Sequence, residues 1–331
     1  RSIGVPTALV SAQSAEVGHA WVGFFEARGR RGAWNFDIGR YSAYQGIRGN
    51  AENPQTRKTI PDSYVSVLAE LIGTRTEDRW AATAFTDAAN HLAAQGEAFR
   101  PDPITDLGER GPRLSPRVND CDAQLQLLEA GLRRTAGYDR AWFAIRDLAA
   151  KGGMGLSDKK KWAGLLQQMC GRSYPDFTLA ILGPMIESIE NPREQLRLWD
   201  AALRIVSSRA DLSAEVRVAQ GKAWEALDEP TKAGRCYEDV IRRFANDGPF
   251  VLTALKKTEQ MLKASGKHDR VVRLYAGAWK SIQPPSQMAG DFAMQSNYYR
   301  VGMIYADKLA EAGFMDEAED VRAEIKKKIG V

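Results

Sequence analysis

His19 and Asp37 are the residues whose types and spacing suit chemistry. Each belongs to a stretch with strand character, Gly18-His19-Ala20-Trp21-Val22-Gly23-Phe24-Phe25 and Ala33-Trp34-Asn35-Phe36-Asp37-Ile38-Gly39, where aromatic and β-branched residues dominate. Gly29, Arg30, Arg31 and Gly32 supply a polar turn between them. Paired as a hairpin, the two strands are expected to bring His19 and Asp37 to the same end. A carboxylate there accepts from one imidazole nitrogen, fixing the tautomer and stabilising the charged ring, while the other nitrogen works as a base. That is two thirds of a nucleophile–His–acid triad. The competing reading is a structural histidine that donates to a nearby carboxylate.

Three short motifs carry a family resemblance: Gly4-Val5-Pro6-Thr7-Ala8, then His19-Ala20-Trp21-Val22, then Trp34-Asn35-Phe36-Asp37. Together they resemble the back half of the transglutaminase-like core of the papain-like thiol enzymes. The resemblance covers about the first 75 residues. It implies that His19 is the catalytic histidine, that Asp37 is its orienting acid, and that Trp21 and Trp34 wall the substrate cleft. It also implies a nucleophilic cysteine on a helix that precedes these strands. No residue from Arg1 to Gly18 is a cysteine, and the chain opens without Met almost on top of the first motif. A missing N-terminal segment of the same protein is therefore an expected partner, and the chain as given is expected to be inactive.

The elements around this pair set the expected fold class: α+β, a small antiparallel transglutaminase-like sheet followed by an all-α helical-hairpin solenoid. Residues 1–75 form the partial enzyme-like domain. Thr7 to Ala12 reads as a further strand, and Gly39 to Pro54 is loop chemistry that places Tyr41 and Tyr44 either along a cleft or packed beneath the loop. Pro61-Asp62-Ser63 opens a helix closed by Gly73. Residues 76–118 are a connecting helix, with Trp80, Ala84, Phe85, Ala88 and Leu92 on one face, and a linker rich in Pro and Gly.

Residues 119–331 read as helical repeats. Gly221 and Ala233 are small residues that let two antiparallel helices approach, while Trp224 and Tyr237 fill the gaps between them. A second copy runs through Met261, Gly266, Val271 and Tyr275, a looser third through Leu309, Gly313, Ala318 and Val321, and an earlier unit through Leu196, Trp199, Ala202, Leu203 and Val206. The pattern resembles a degenerate tetratricopeptide repeat. Its turn residues Asp228, Gly266 and Gly313 lie 38 and 47 residues apart (228 to 266, 266 to 313). Hairpins of this kind bury their apolar stripes only by stacking into a curved solenoid, whose concave face takes peptides or partner proteins. Arg217, Lys222 and Asn297 are the nominated exposed residues, and Trp142, Trp162, Trp199, Trp224 and Trp279 fall at core spacing.

Composition narrows the classes. The 331 residues are 44% hydrophobic and 27% charged, ordinary for a globular protein, and the net charge of +4 is spread along the chain. No nucleic-acid partner is expected on that balance. No stretch reaches the roughly 18 apolar residues of a membrane span, so the chain is expected to be soluble, in the cytoplasm or exported. The three cysteines, Cys121, Cys170 and Cys236, are widely spaced and odd in number, and His19, His91 and His268 are the only histidines. Neither a disulfide scaffold nor a metal site is expected, and no cofactor. Gly152-Gly153-Met154-Gly155 lacks the Gly-Lys-Ser/Thr ending of a phosphate loop and reads as a turn before a helix capped by Leu156-Ser157-Asp158. Cys121, at a helix start, is a weak candidate for the missing nucleophile because helix N-termini lower thiol pKa values.

Two functions follow. The first is a fragment of a transglutaminase-like thiol acyl-transfer or peptidase-type enzyme, with helical repeats that bind protein. The alternative is a non-catalytic scaffold that uses the same repeats.

Overall fold

Apolar residues recur at helical spacing from Thr76 onward, and that period governs the structure. A computed structural model describes the backbone of residues 7–13, 18–28, 31–35, 50–52, 59–61, 76–98, 117–171, 175–246, 248–285, 293–294 and 296–330. Side chains are described from Glu77 onward, except within 94–120 and at 176. Ahead of the helices the backbone passes through β1 (Thr7–Gln13), β2 (Gly18–Arg28), β3 (Arg31–Asn35), β4 (Asn50–Glu52) and β5 (Thr59–Pro61). They are hydrogen-bonded in the order β3-β2-β1-β4-β5, with β1 antiparallel to both β2 and β4.

From Thr76 the described residues form twelve helices and no strand, about 82% helix. Every buried side chain described lies on a helix or in a connection between helices. The core decides the class, and it is all-α. The expected α+β class, organised around a transglutaminase-like sheet, is corrected on that ground. The helix expected after Pro61 and the Pro/Gly-rich linker lie outside the described residues, apart from Pro61, which ends β5.

The helices divide between two compact units, one running from Ser63 to Glu190 and the other from Asn191 onward. The first holds α1 (Thr76–Ala98), α2 (Arg117–Arg134), α3 (Asp139–Ala150), α4 (Leu156–Met169) and α5 (Pro175–Glu187). α1 buries Ala82, Thr86 and Ala89, not the expected Trp80 face, and Trp80 is 71% exposed. The reason is a close approach to α2: a Cβ on Gly131 would stand 3.3 Å from the Ala82 carbonyl oxygen, a gap no indole fits. Trp142 of α3 and Trp162 of α4 meet edge to face at 6.0 Å, and the Trp142 indole N–H donates to the Ala136 carbonyl at 2.8 Å. α5 is apolar nearly all round, burying Phe177, Leu179, Ile181, Leu182, Met185 and Ile186, as a helix central to its unit must. Buried Lys159 of α4 donates to the Ser188 carbonyl at 2.9 Å, just past the end of α5, where a cation suits the helix dipole. The N-cap of α4 is Gly155, without a side-chain cap bond, so the expected Ser157/Asp158 cap is not made.

The second unit holds α6 (Pro192–Val206), α7 (Ala210–Glu225), α8 (Pro230–Arg243), α9 (Phe250–Ala264), α10 (Asp269–Ser281), α11 (Asn297–Glu311) and α12 (Met315–Ile329). Asn191 caps α6, its side-chain oxygen accepting from the Arg193 N–H at 2.9 Å, and Pro192 follows at the first helical position. Each helix packs on the next, and α7 also touches α9, α9 touches α11, and α8 touches α10. That nearest-and-next-nearest pattern is the packing of an α-solenoid. One continuous core runs through it, from Tyr237 and Val240 through Tyr275 and Trp279 to Val301 and Ile325.

Candidate functional site

The described strands carry part of the expected site. His19 and Trp21 are on β2, opposite Ala12 and Val10 of β1, and Trp34 is on β3. Only their backbone is described. Asp37, Tyr41 and Tyr44 lie outside the described residues, beyond the end of β3 at Asn35.

Cys121 does not replace the absent nucleophile. Its thiol donates to the Gly153 carbonyl at 2.7 Å. Burial pushes its pKa up, and the carboxylates of Asp122 and Asp158 push it further, which is the wrong direction for a thiolate. Cys170 and Cys236 are buried, and burial likewise raises the Cys236 thiol. Among the described residues no group of three or more His, Cys, Asp or Glu is placed to hold a metal ion, and no helix is long and apolar enough to cross a membrane.

The built chemistry lies in three helical hairpins: α7–α8, α9–α10 and α11–α12. Asp228, Gly266 and Gly313 take left-handed backbone at their turns, with φ of 55°, 71° and 88°. Each turn closes with the same pair of bonds. The N–H groups of Glu229, Lys267 and Phe314 reach back to the carbonyls of Trp224, Leu262 and Leu309 at 3.0, 2.9 and 2.9 Å. Those of Asp228, Gly266 and Gly313 donate to Glu225, Lys263 and Ala310. This is the Schellman arrangement, and it satisfies carbonyls that a helix end otherwise leaves bare.

Identical turns put identical positions in register, and the first helices α7, α9 and α11 form one layer. Ion pairs tie that layer together. Lys257 of α9 meets Glu225 of α7 at 2.8 Å, and Lys308 of α11 meets Glu259 of α9 at 3.2 Å. Glu259 also pairs with Lys263 at 2.6 Å and accepts from the Tyr275 hydroxyl at 2.8 Å. Burial opposes its charge, but the bonds from Lys263, Tyr275 and Lys308 outweigh that cost and hold its carboxyl down to about 2. Burial, then the bond to Glu259, pushes the Tyr275 hydroxyl well above its ordinary range.

The three nominated residues have different fates. Arg217 pairs with Asp239 of α8 at 2.9 Å and donates to Gln220 at 3.0 Å. The Asn297 side chain donates to the carbonyls of Ala245 and Gly248 at 2.8 and 2.7 Å, fastening the start of α11 to the connection before α9. Lys222 is exposed on α7. Trp142, Trp162, Trp199 and Trp279 are buried, and Trp224 is half-buried with the Lys232 ammonium 4.6 Å from its ring centroid. The Glu259 network has no signal of its own in the sequence, because its members come from three helices and from ordinary surface residue types.

No protein-family model matches the chain, and no curated protein matches it. With the all-α core, this overturns the resemblance to a transglutaminase-like core, together with its cysteine-protease-like and incomplete-triad reading. The motifs behind it are runs of three to five residues, and their aromatic and β-branched types suit any short strand. The tetratricopeptide likeness also finds no matching family model; the α-solenoid packing stands on the contacts themselves.

Proposed function

We propose that this protein is a non-catalytic interaction scaffold whose stacked hairpins dock a segment of a partner protein along the first-helix layer. The supporting observation is the repeated hairpin geometry. Three turns of one construction hold α7, α9 and α11 side by side, and ion pairs fix their spacing. A layer so held presents a preformed surface, which lowers the entropic cost of ordering a bound segment. The depressed reactivity expected of Cys121 speaks against thiol chemistry in the described part of the chain.

A photocross-linking residue tests it, placed at Gln260 on the exposed side of α9 or at Arg273 on α10, in cells that make the protein. A discrete heterologous adduct from Gln260 and none from Arg273 is the expected result. Equal labelling from both positions, or none from either, refutes the docking layer.

A further inference from the structure

The charges on the first-helix layer are not balanced once existing partners are removed. Carboxylates on α7, α9 and α11 are engaged within the unit. Asp211 pairs with Arg209, Glu225 with Lys257, Glu259 with Lys263 and Lys308, Asp307 with Arg322, and Glu311 with Lys308. Glu215 has a partner as well. Cations on the same helices are not all used. Lys222 of α7, Lys256 of α9 and Arg300 of α11 are exposed and make no ion pair among the described residues.

Each of the three stands away from the buried stripe of its helix. α7 buries Gly221 and Ala223 on either side of Lys222, α9 buries Ala254, Leu255 and Glu259 around Lys256, and α11 buries Tyr298, Val301 and Gly302 around Arg300. One uncompensated cation per helix, on three adjoining helices at 6, 10 and 13 residues before their turns (222 to 228, 256 to 266, 300 to 313), makes an oblique row: steps of four and three residues stay on one helix face. Packed helices lie about 8–10 Å apart, so the row is about 20 Å long, the span of about six extended residues.

We infer that this row selects an acidic, extended peptide segment as the ligand of the docking layer; the inference rests on the docking reading above. Carboxylate side chains on alternate residues of such a segment, about 6.6–6.8 Å apart, share the face turned to the row, and four of them cover its length, while the layer's own carboxylates are already neutralised by their partners. A nucleic acid fits the surface less well. Among the described residues the large aromatics that are exposed, Trp80 and Phe314, are not on these helices, and Trp224 of α7 is half-buried beside the Lys232 ammonium, so bases find no open stacking platform.

The test is fluorescence anisotropy with the full chain and labelled short peptides alike except at alternate positions, which are all Glu, all Gln or all Lys. A single-stranded oligonucleotide is run beside them. The Glu peptide alone is expected to bind, more weakly as salt rises. Replacing Lys222, Lys256 and Arg300 together by Glu is expected to weaken it about tenfold or more. The control Arg270→Glu with Lys280→Glu, on the exposed side of α10, is expected to leave it unchanged, and thermal melts establish that both variants fold. Equal binding of the Gln peptide, loss in the control, tighter binding of the oligonucleotide, or no peptide binding at all each overturns the inference. A Gln260 cross-link that persists when the Glu peptide fails removes the acidic preference and leaves the docking layer. Loss of both removes the layer itself. Self-association of the chain abolished by the triple reversal replaces the peptide with a second copy, and overturns the inference in that form.

Discussion

The Tyr275 hydroxyl donates to the Glu259 carboxylate across the α9–α10 hairpin, and the equivalent places in the preceding hairpin are held by Tyr237 and Gly221. Counted from the turns at Gly266 and Asp228, the two pairs coincide. One position thus carries two solutions. In α7–α8 the tyrosine ring lies on bare backbone; in α9–α10 its hydroxyl reaches a charge that neighbouring lysines neutralise.

The Glu259 solution makes stability depend on acid. Its folded carboxyl is held at about 2, below the ordinary 4.5, so its contribution is complete above 4.5 and disappears as pH falls through about 2. Tyr275→Phe is expected to cost about 1–3 kcal/mol at neutral pH and less in acid, because the lost donor served the charged form. Urea midpoints at neutral pH and at successive values down to about pH 2, where the carboxyl itself protonates, check this. A cost that does not change with pH rejects it.

The Gly221 solution makes a methyl group expensive. An added Cβ would stand 2.5 Å from Tyr237 Cε1 and 2.6 Å from Cζ, inside a filled core. Gly221→Ala is expected to destabilise by about 1–3 kcal/mol despite the better helix propensity of alanine. Gly164→Ala in α4, where nothing lies within 4 Å, is expected to stabilise by about 0.5–1 kcal/mol. Thermal melts of the two variants should move in opposite directions.

Of the three hairpin turns, only the first carries a side chain at its left-handed residue. Asp228→Gly is expected to stabilise the protein by about 0.5–1 kcal/mol by relieving φ of 55°, whereas Gly266→Ala and Gly313→Ala lose a similar amount. Calorimetry of the three single variants decides the matter, and a destabilising Asp228→Gly would assign the aspartate a role beyond its backbone.

Thiol reactivity separates the cysteines. Cys121 is half-exposed with a raised pKa, while Cys170 and Cys236 are buried. Iodoacetamide at neutral pH is expected to modify Cys121 first, and no faster than an unstructured thiol. Mass spectrometry of timed samples measures it. Rapid alkylation would restore Cys121 as a nucleophile.

Some of this was legible in the sequence and some was not. The turn residues Asp228, Gly266 and Gly313, the close approach at Gly221 and the buried Leu196, Trp199, Ala202 and Val206 all follow from local rules of spacing and size. The α1 face was misread because tryptophan outweighs alanine in any apolar count, yet helices that approach closely choose alanine. The transglutaminase reading failed for a related reason: short strand-forming motifs carry little information about what surrounds them. The free row of Lys222, Lys256 and Arg300 is invisible until the partners of every other charge are known, and those partners come from different helices.

Spacing between the hairpin turns lengthens from 38 to 47 residues (228 to 266, 266 to 313). The surplus falls in one place. Between α8 and α9 the connection is residues 244–249, and between α10 and α11 it is 282–296, nine longer. Within each hairpin, the count from first helix through turn to second helix is untouched, which keeps Gly221 facing Tyr237 and Glu259 facing Tyr275. Length therefore differs at the seams and is fixed inside the modules. One added residue inside α9 would rotate every later side chain of that helix by a helical step and unmake the layer.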